Sequence, residues 1–274
     1  MKILCPYSLA NQAAKEKLSM PPRLDHKIGD ITLTLNKMGA MANFSDEITE
    51  SFLNQPNFLN GTHLEVGSAY GNIAIKALQK GCKKYIANDI DLRHLKILAK
   101  RTKEIDPNLL KSLELIHGKY PNEVKIKENT IDSILISRVL HYLSPDDIIK
   151  TANIFSKILK PNGKIYVICV TPYNKAYSQF VPIFESNKKN RIKYYGYTEK
   201  RNEHLNETLF VEHNLSNLRS DLQPVFHFFD LDSFAEYFND KGLRIERTIY
   251  LPYQKDSIFA LDGREGVGAI ITKD

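Results

Sequence analysis

A chain of 274 residues, 42% hydrophobic and 26% charged, is long enough to bury one elaborated core. No apolar run approaches the roughly 18 residues that a spanning helix needs, so no membrane segment is predicted. The net charge of +6 permits an anionic partner without demanding one, because the lysines are scattered among asparagines and isoleucines along the whole chain. Cys5, Cys82 and Cys169 are odd in number and far apart, which fits neither a disulfide framework nor a zinc site.

In chain order, Met1-Lys-Ile-Leu-Cys-Pro-Tyr7 carries one lysine and a short apolar stretch broken by Pro6. That is not a secretory signal, and the expected location is the cytoplasm. Residues 1–60 hold an alternating segment, Ile31 to Leu35, and a helix predicted from Ser45; they are expected to form an arm that closes over one side of a pocket.

His63-Leu-Glu-Val-Gly-Ser-Ala-Tyr-Gly71 is the most informative stretch. An apolar strand ends on an acid, Glu65, and enters a turn bracketed by Gly67 and Gly71, and a helix follows from Asn72 until Gly81 stops it. Glycine lets a ligand approach the backbone closely, and the helix start offers N–H groups with no partner inside the helix. The spacing is E-x-G-x-x-x-G, not the G-x-G-x-x-G that seats a pyrophosphate, so a dinucleotide is disfavoured.

Lys84 to Asp89 reads as a second strand, and Asp91 as the cap of a helix that carries Leu92, Leu95 and Leu98 on one side. Leu113 to His117 and Ile131 to Ser137 supply two more strands, the latter apolar enough for the inside of a parallel sheet. Ser144-Pro-Asp-Asp147 has the form of a capping box with Pro145 at the first helical position, and the helix runs to about Leu159. Pro161-Asn-Gly163 ends that helix, and Lys164 to Val170 is the next strand. The rhythm then breaks until a helix at Asp230 to Phe238, which Gly242 closes, and strands at Leu243 to Leu251 and Gly266 to Thr272 follow. Such alternation predicts a doubly wound, mostly parallel α/β sheet, with ligands at the carboxyl ends of its strands.

The ordered set of the turn from Glu65 to Gly71, Asp89, Asp132, Leu140-His-Tyr-Leu143 and Leu159-Lys-Pro-Asn-Gly-Lys164 resembles the class I S-adenosylmethionine-dependent methyltransferases over residues 60–170 and 228–274. The resemblance implies a seven-stranded, Rossmann-like sheet whose last two strands form an antiparallel hairpin. It also implies S-adenosylmethionine as cofactor and a methyltransferase domain over 61–274, interrupted by an inserted lid at 172–227. The implied cofactor residues are Glu65, near the methionine part; Gly67, Ser68, Ala69 and Gly71, in the turn; and Asp89, for the ribose diol. Ile90 flanks adenine, and Lys119 and Ser137 complete the set. Ala69 stands where the family has its middle glycine. Gly118-Lys119 stands where many relatives carry Gly-Asp; a lysine accepts no hydrogen bond from the adenine amino group, which leaves backbone, Tyr120, Asn122 or a shifted alignment for that role.

There is no D/N-P-P-Y motif, so methylation of an exocyclic adenine nitrogen is not expected. His141, with an ordinary pKa near 6.5, is the candidate base for an acceptor hydroxyl. Tyr142, Tyr173 and Tyr177 are the candidate acceptor contacts. The expected function is methyl transfer to a small or medium-sized organic molecule without metal. Two alternatives stay open: a protein or RNA acceptor held by the basic, Tyr-rich insert, and a non-catalytic interaction module.

Overall fold

A computed structural model describes residues 3–215 and 223–274; residues 216–222 of the insert lie outside them. Its centre is a seven-stranded sheet built from β3 (Thr62–Val66), β4 (Lys84–Asp89), β5 (Leu113–His117), β6 (Ile131–Ser137), β7 (Leu159–Val170), β8 (Leu243–Leu251) and β9 (Gly266–Lys273), in the order β8-β9-β7-β6-β3-β4-β5. The strands from β3 to β7 are parallel, and β9 runs antiparallel between β7 and β8. From β3 the chain winds outward to β4 and β5, then returns to place β6 on the other side. The crevice of such a reversal lies beyond the carboxyl ends of β3 and β6, at Gly67 and Ser137.

Alternation along the strands divides the core. Leu64, Val66, Ile134, Ile136, Ile165 and Val167 pack on one face, with Phe155 and Phe234 from the helices. Tyr85, Ala87, Leu135 and Ile168 pack on the other against Ile75, Leu78, Leu95 and Leu98. Helices α3 (Asn72–Gln79), α4 (Leu92–Ile105) and α5 (Pro145–Ile158) begin where expected: the Asp91 carboxylate accepts from the Arg93 amide at 2.9 Å, and the Ser144 hydroxyl from Asp147 at 3.2 Å.

Three boundaries differ from the sequence reading. β7 starts at Leu159 because Leu159 pairs with Ile131, and the register then jumps to Ser133 opposite Lys164, looping Lys160–Gly163 out as a bulge. Helix α2 is Glu47–Leu53, capped by Asp46 accepting from Thr49, so Ser45 lies before it. The helix expected from Asp230 covers Ser233–Phe238, and Asp230 instead binds the backbone N–H groups of Asp232 and Ser233 with its carboxylate.

Two additions flank the carboxyl edge. Before β3, helix α1 (Pro6–Lys15) packs on α4, and a hairpin of β1 (Ile31–Leu33) and β2 (Ala40–Ala42) follows. After β7, the insert builds its own core from Tyr177, Phe180, Phe184, Tyr195, Phe226 and Phe228, all buried. In that core the Phe228 amide donates to the Gly196 carbonyl at 2.8 Å. A Cβ on Gly196 would lie 1.9 Å from the Phe228 carbonyl oxygen, so this crossing requires glycine.

Candidate active site

The turn after β3 is held by one carbonyl: the amides of Gly67 and Ser68 both donate to Asn88 at 2.9 Å. Gly67 and Gly71 have φ of +76° and +79°, and a Cβ on either would fall 2.3 Å from Val139 Cγ2 or 2.0 Å from Leu98 Cδ1. Ala69 also takes a left-handed φ, +45°. An alanine thus adopts the conformation the family gives to glycine, held there by its amide donating to Asp89 Oδ2 at 2.8 Å.

Asp89, buried at the end of β4, accepts two further bonds through Oδ1, from the Asp91 amide and from His94 Nδ1, both at 2.9 Å. His94 Nε2 accepts from the Leu35 amide at 3.1 Å, which fixes the tautomer with the proton on Nδ1. One imidazole therefore ties the acid to the segment after β1. Tyr70, donating to the Leu33 carbonyl, and Asn72, donating to the Ala42 carbonyl, add two more ties at 2.9 Å. His94 was not singled out from sequence, where it is simply a polar residue among the leucines of an amphipathic helix.

A cavity of about 370 Å³ opens at this crevice. It is lined by Glu65, Gly67, Ser68, Ala69, Asp89, Ile90, Lys119, Ser137 and Tyr142, so all the sequence-derived cofactor residues meet there except Gly71, which shapes the start of α3 instead. Gly118 and Tyr120 line it too, whereas Asn122 is engaged with Lys150 and Asp147 outside it. Two lining hydroxyls, Ser68 Oγ and Tyr120 Oη, are buried without a hydrogen-bond partner among the described residues. Buried polar atoms are seldom left this way, so the cavity is suited to a polar ligand such as S-adenosylmethionine. Glu65 is held among apolar strands; burial pushes its carboxyl up to about 8, against the Tyr85 hydroxyl that donates to it at 2.9 Å.

A second cavity, of about 480 Å³, adjoins the first and shares Thr34, Gly39, Ala40, Phe44, Arg138 and Tyr142 with it. His141 and Tyr177 line it. His141 is buried with Nδ1 unpartnered, its ring 4.3 Å from that of Tyr142 and 4.7 Å from that of Phe226. Burial first, then the charges of Arg201 and Arg138, hold its pKa well below the ordinary value, so the imidazole is neutral. Tyr173 lines neither cavity: its hydroxyl binds Glu185 and its ring lies 3.9 Å under Arg264. Arg138, just after β6, and Arg201, in the insert, bring cations to this cavity. Arg138 donates to Asp46 at 3.3 Å, and neither pairing nor burial is visible in a sequence.

Residues 64–165, from β3 into β7, match the family model described as a methyltransferase domain. No curated protein matches the chain. An S-adenosylmethionine-dependent methyltransferase from Mesorhizobium loti superposes with a TM-score of 0.55 at 11% identity, over 82% of this chain and 95% of that one. One from Methanosarcina mazei gives 0.54 at 14%, over 83% and 97%. Geranyl diphosphate methyltransferase, in complex with S-adenosylmethionine, gives 0.55 at 12%, over 82% and 84%. At these identities the likeness to solved structures is one of fold. Residues 64–165 are thus a methyltransferase domain, set in a sheet of the Rossmann-like methyltransferase fold. The matched segment is the part of the chain that builds most of the smaller cavity.

Proposed function

We propose that this enzyme methylates a small or medium-sized organic acceptor, with S-adenosylmethionine in the smaller cavity and the acceptor in the larger. The observation that carries this reading is the wall the two cavities share, with Tyr142 and Arg138 on both sides of it. Bound S-adenosylmethionine supplies an electrophilic methyl group on a sulfonium sulfur. Glu65 and Ser68 serve its amino-acid end, Asp89 its ribose, and Ile90 with Tyr120 its adenine. The β1–β2 hairpin and the insert keep water from the junction, where methyl displacement needs chiefly alignment and a dry approach. Neutral His141 takes the proton when the acceptor atom is a hydroxyl oxygen.

A macromolecular acceptor finds less support. The rings that the basic, Tyr-rich insert would offer for stacking, Tyr177, Phe180, Phe184 and Tyr195, are consumed in its own core. Among proteins of this fold, geranyl diphosphate methyltransferase is named for a small acceptor. Incubation with S-adenosylmethionine carrying a labelled methyl group and a clarified extract tests the reading. Label in the low-mass filtrate is expected; label held on material that nuclease or protease removes would overturn it.

A further inference from the structure

Among the described residues the larger cavity has cationic groups on its walls, Arg138 and Arg201, and no aspartate or glutamate. Its other walls are largely apolar, including Ile31, Leu33, Phe210, Phe226 and Phe259.

Arg201 is the centre of the imbalance. It is 6% exposed, at the start of a short 3-10 turn, and its backbone amide donates to the Pro224 carbonyl at 2.9 Å. Its guanidinium lies 3.9 Å from the ring centre of Phe226 and 5.3 Å from that of Tyr177, and Nε donates to the Tyr177 hydroxyl. Nη1 is buried and has no partner, and among the described residues no carboxylate pairs with this arginine. Aromatic faces return part of what burying a guanidinium costs, but a buried charge with no counterion among the described residues, and with one donor unused, calls for an anion. Arginine is also the side chain whose planar fork matches the two oxygens of a carboxylate.

We infer that the acceptor is an apolar organic acid, its carboxylate received by Arg201 and its hydrocarbon body by the aromatic walls. This rests on the methyltransferase reading above and names the substrate class of the same site. A single carboxylate fits better than a diphosphate, because the other guanidinium, the partly buried Arg138, already has Asp46 as its acid. Arg201 is thus a specificity residue for the acceptor, distinct from the groups around the donor.

The test compares 2-naphthoate with 2-naphthamide, which match in shape and differ in charge, by calorimetric titration of the enzyme saturated with S-adenosylhomocysteine. The carboxylate is expected to bind at least about tenfold more tightly. Arg201→Met should bring the two within about twofold, and Arg201→Lys should keep part of the preference, having the charge without the fork. Equal binding of both probes, binding of neither, or a preference that survives Arg201→Met would overturn the inference. If Arg201→Met fails to take up S-adenosylhomocysteine, the wild-type ratio and Arg201→Lys decide. Absence of S-adenosylhomocysteine binding to well-folded wild type would instead overturn the assignment of the donor cavity.

Discussion

Glu65 and Asp89 are two carboxyl groups on one cavity in opposite circumstances. Asp89 receives three N–H donors, from Ala69, Asp91 and His94, and is built to accept. Glu65 has the Tyr85 hydroxyl and the Ala74 amide against full burial, and its pKa rises from 4.5 to about 8. Between those values the folded protein holds a proton that the unfolded chain has released, so the stability contributed by this group falls as pH rises through the window and levels off above about 8. A cation beside Glu65 reverses that preference, because it favours the ionised form. S-adenosylmethionine, cationic at its sulfur and its amino group, should therefore bind with release of a proton near pH 6.5, and its affinity should grow with pH up to about 8. Calorimetry in buffers of different ionisation enthalpy reads the released proton directly. Glu65→Gln should remove both the release and the pH slope; a wild-type enzyme that binds without releasing a proton would show that the methionine end lies elsewhere.

At the scale of elements, the site is framed by two additions fastened in different ways. The β1–β2 hairpin is stitched to the donor turn by His94, Tyr70 and Asn72, each giving or taking one bond. The insert is anchored by Asp230, fully buried, whose carboxylate accepts from Lys188 and from the Tyr195 hydroxyl at 2.5 Å, and from the Ser233 hydroxyl at 2.8 Å. Burial alone would raise this carboxyl, yet the donors outweigh it and hold the pKa below the ordinary 3.8. Its contribution is therefore complete at neutral pH and is lost only as pH falls below about 4. Asp230→Ala leaves the Tyr195 hydroxyl without its acid and Lys188 with only the exposed Asp232, and should cost about 3 kcal/mol in urea unfolding at pH 7. A loss under about 1 kcal/mol would mean that the insert's aromatic core suffices without the anchor.

These elements also mark where sequence is legible. Lys84–Asp89, Leu113–His117 and Ile131–Ser137 could be read to the residue because buried parallel strands are short apolar runs between capped helices and turns. The start of β7 was missed since Pro161-Asn-Gly163 has the chemistry of a helix stop, and only pairing with Ile131 reveals that the strand has already begun. The Asp230 helix start failed for a related reason: an aspartate that caps from one residue earlier looks the same in sequence as one that anchors a loop. The insert's aromatic and basic residues were visible, but whether a ring stacks on a ligand or on another ring depends on tertiary contacts. For the same reason nothing in the sequence sets Arg201 apart from the other cations of the insert.

At the scale of the molecule, the carboxyl edge of the sheet carries two adjoining cavities under two covers, one rich in polar donors and acceptors, the other aromatic and cationic. Among the described residues no helix is long and apolar enough to cross a membrane. The positive charge thus has a local meaning besides its general one, since part of it is buried at the acceptor side. In the proposed reaction the smaller cavity is the donor site, with Asp89 as the acid that holds the ribose. Calorimetric titration with S-adenosylmethionine of wild type, Asp89→Ala and Asp91→Ala tests it most directly. One site per chain is expected, weakened roughly 100-fold by Asp89→Ala, in keeping with the loss of two charge-assisted hydrogen bonds, and changed little by Asp91→Ala, which removes a helix cap and its pairing with Arg93. A folded wild type that binds no S-adenosylmethionine, or an Asp89→Ala enzyme with undiminished affinity, would contradict it.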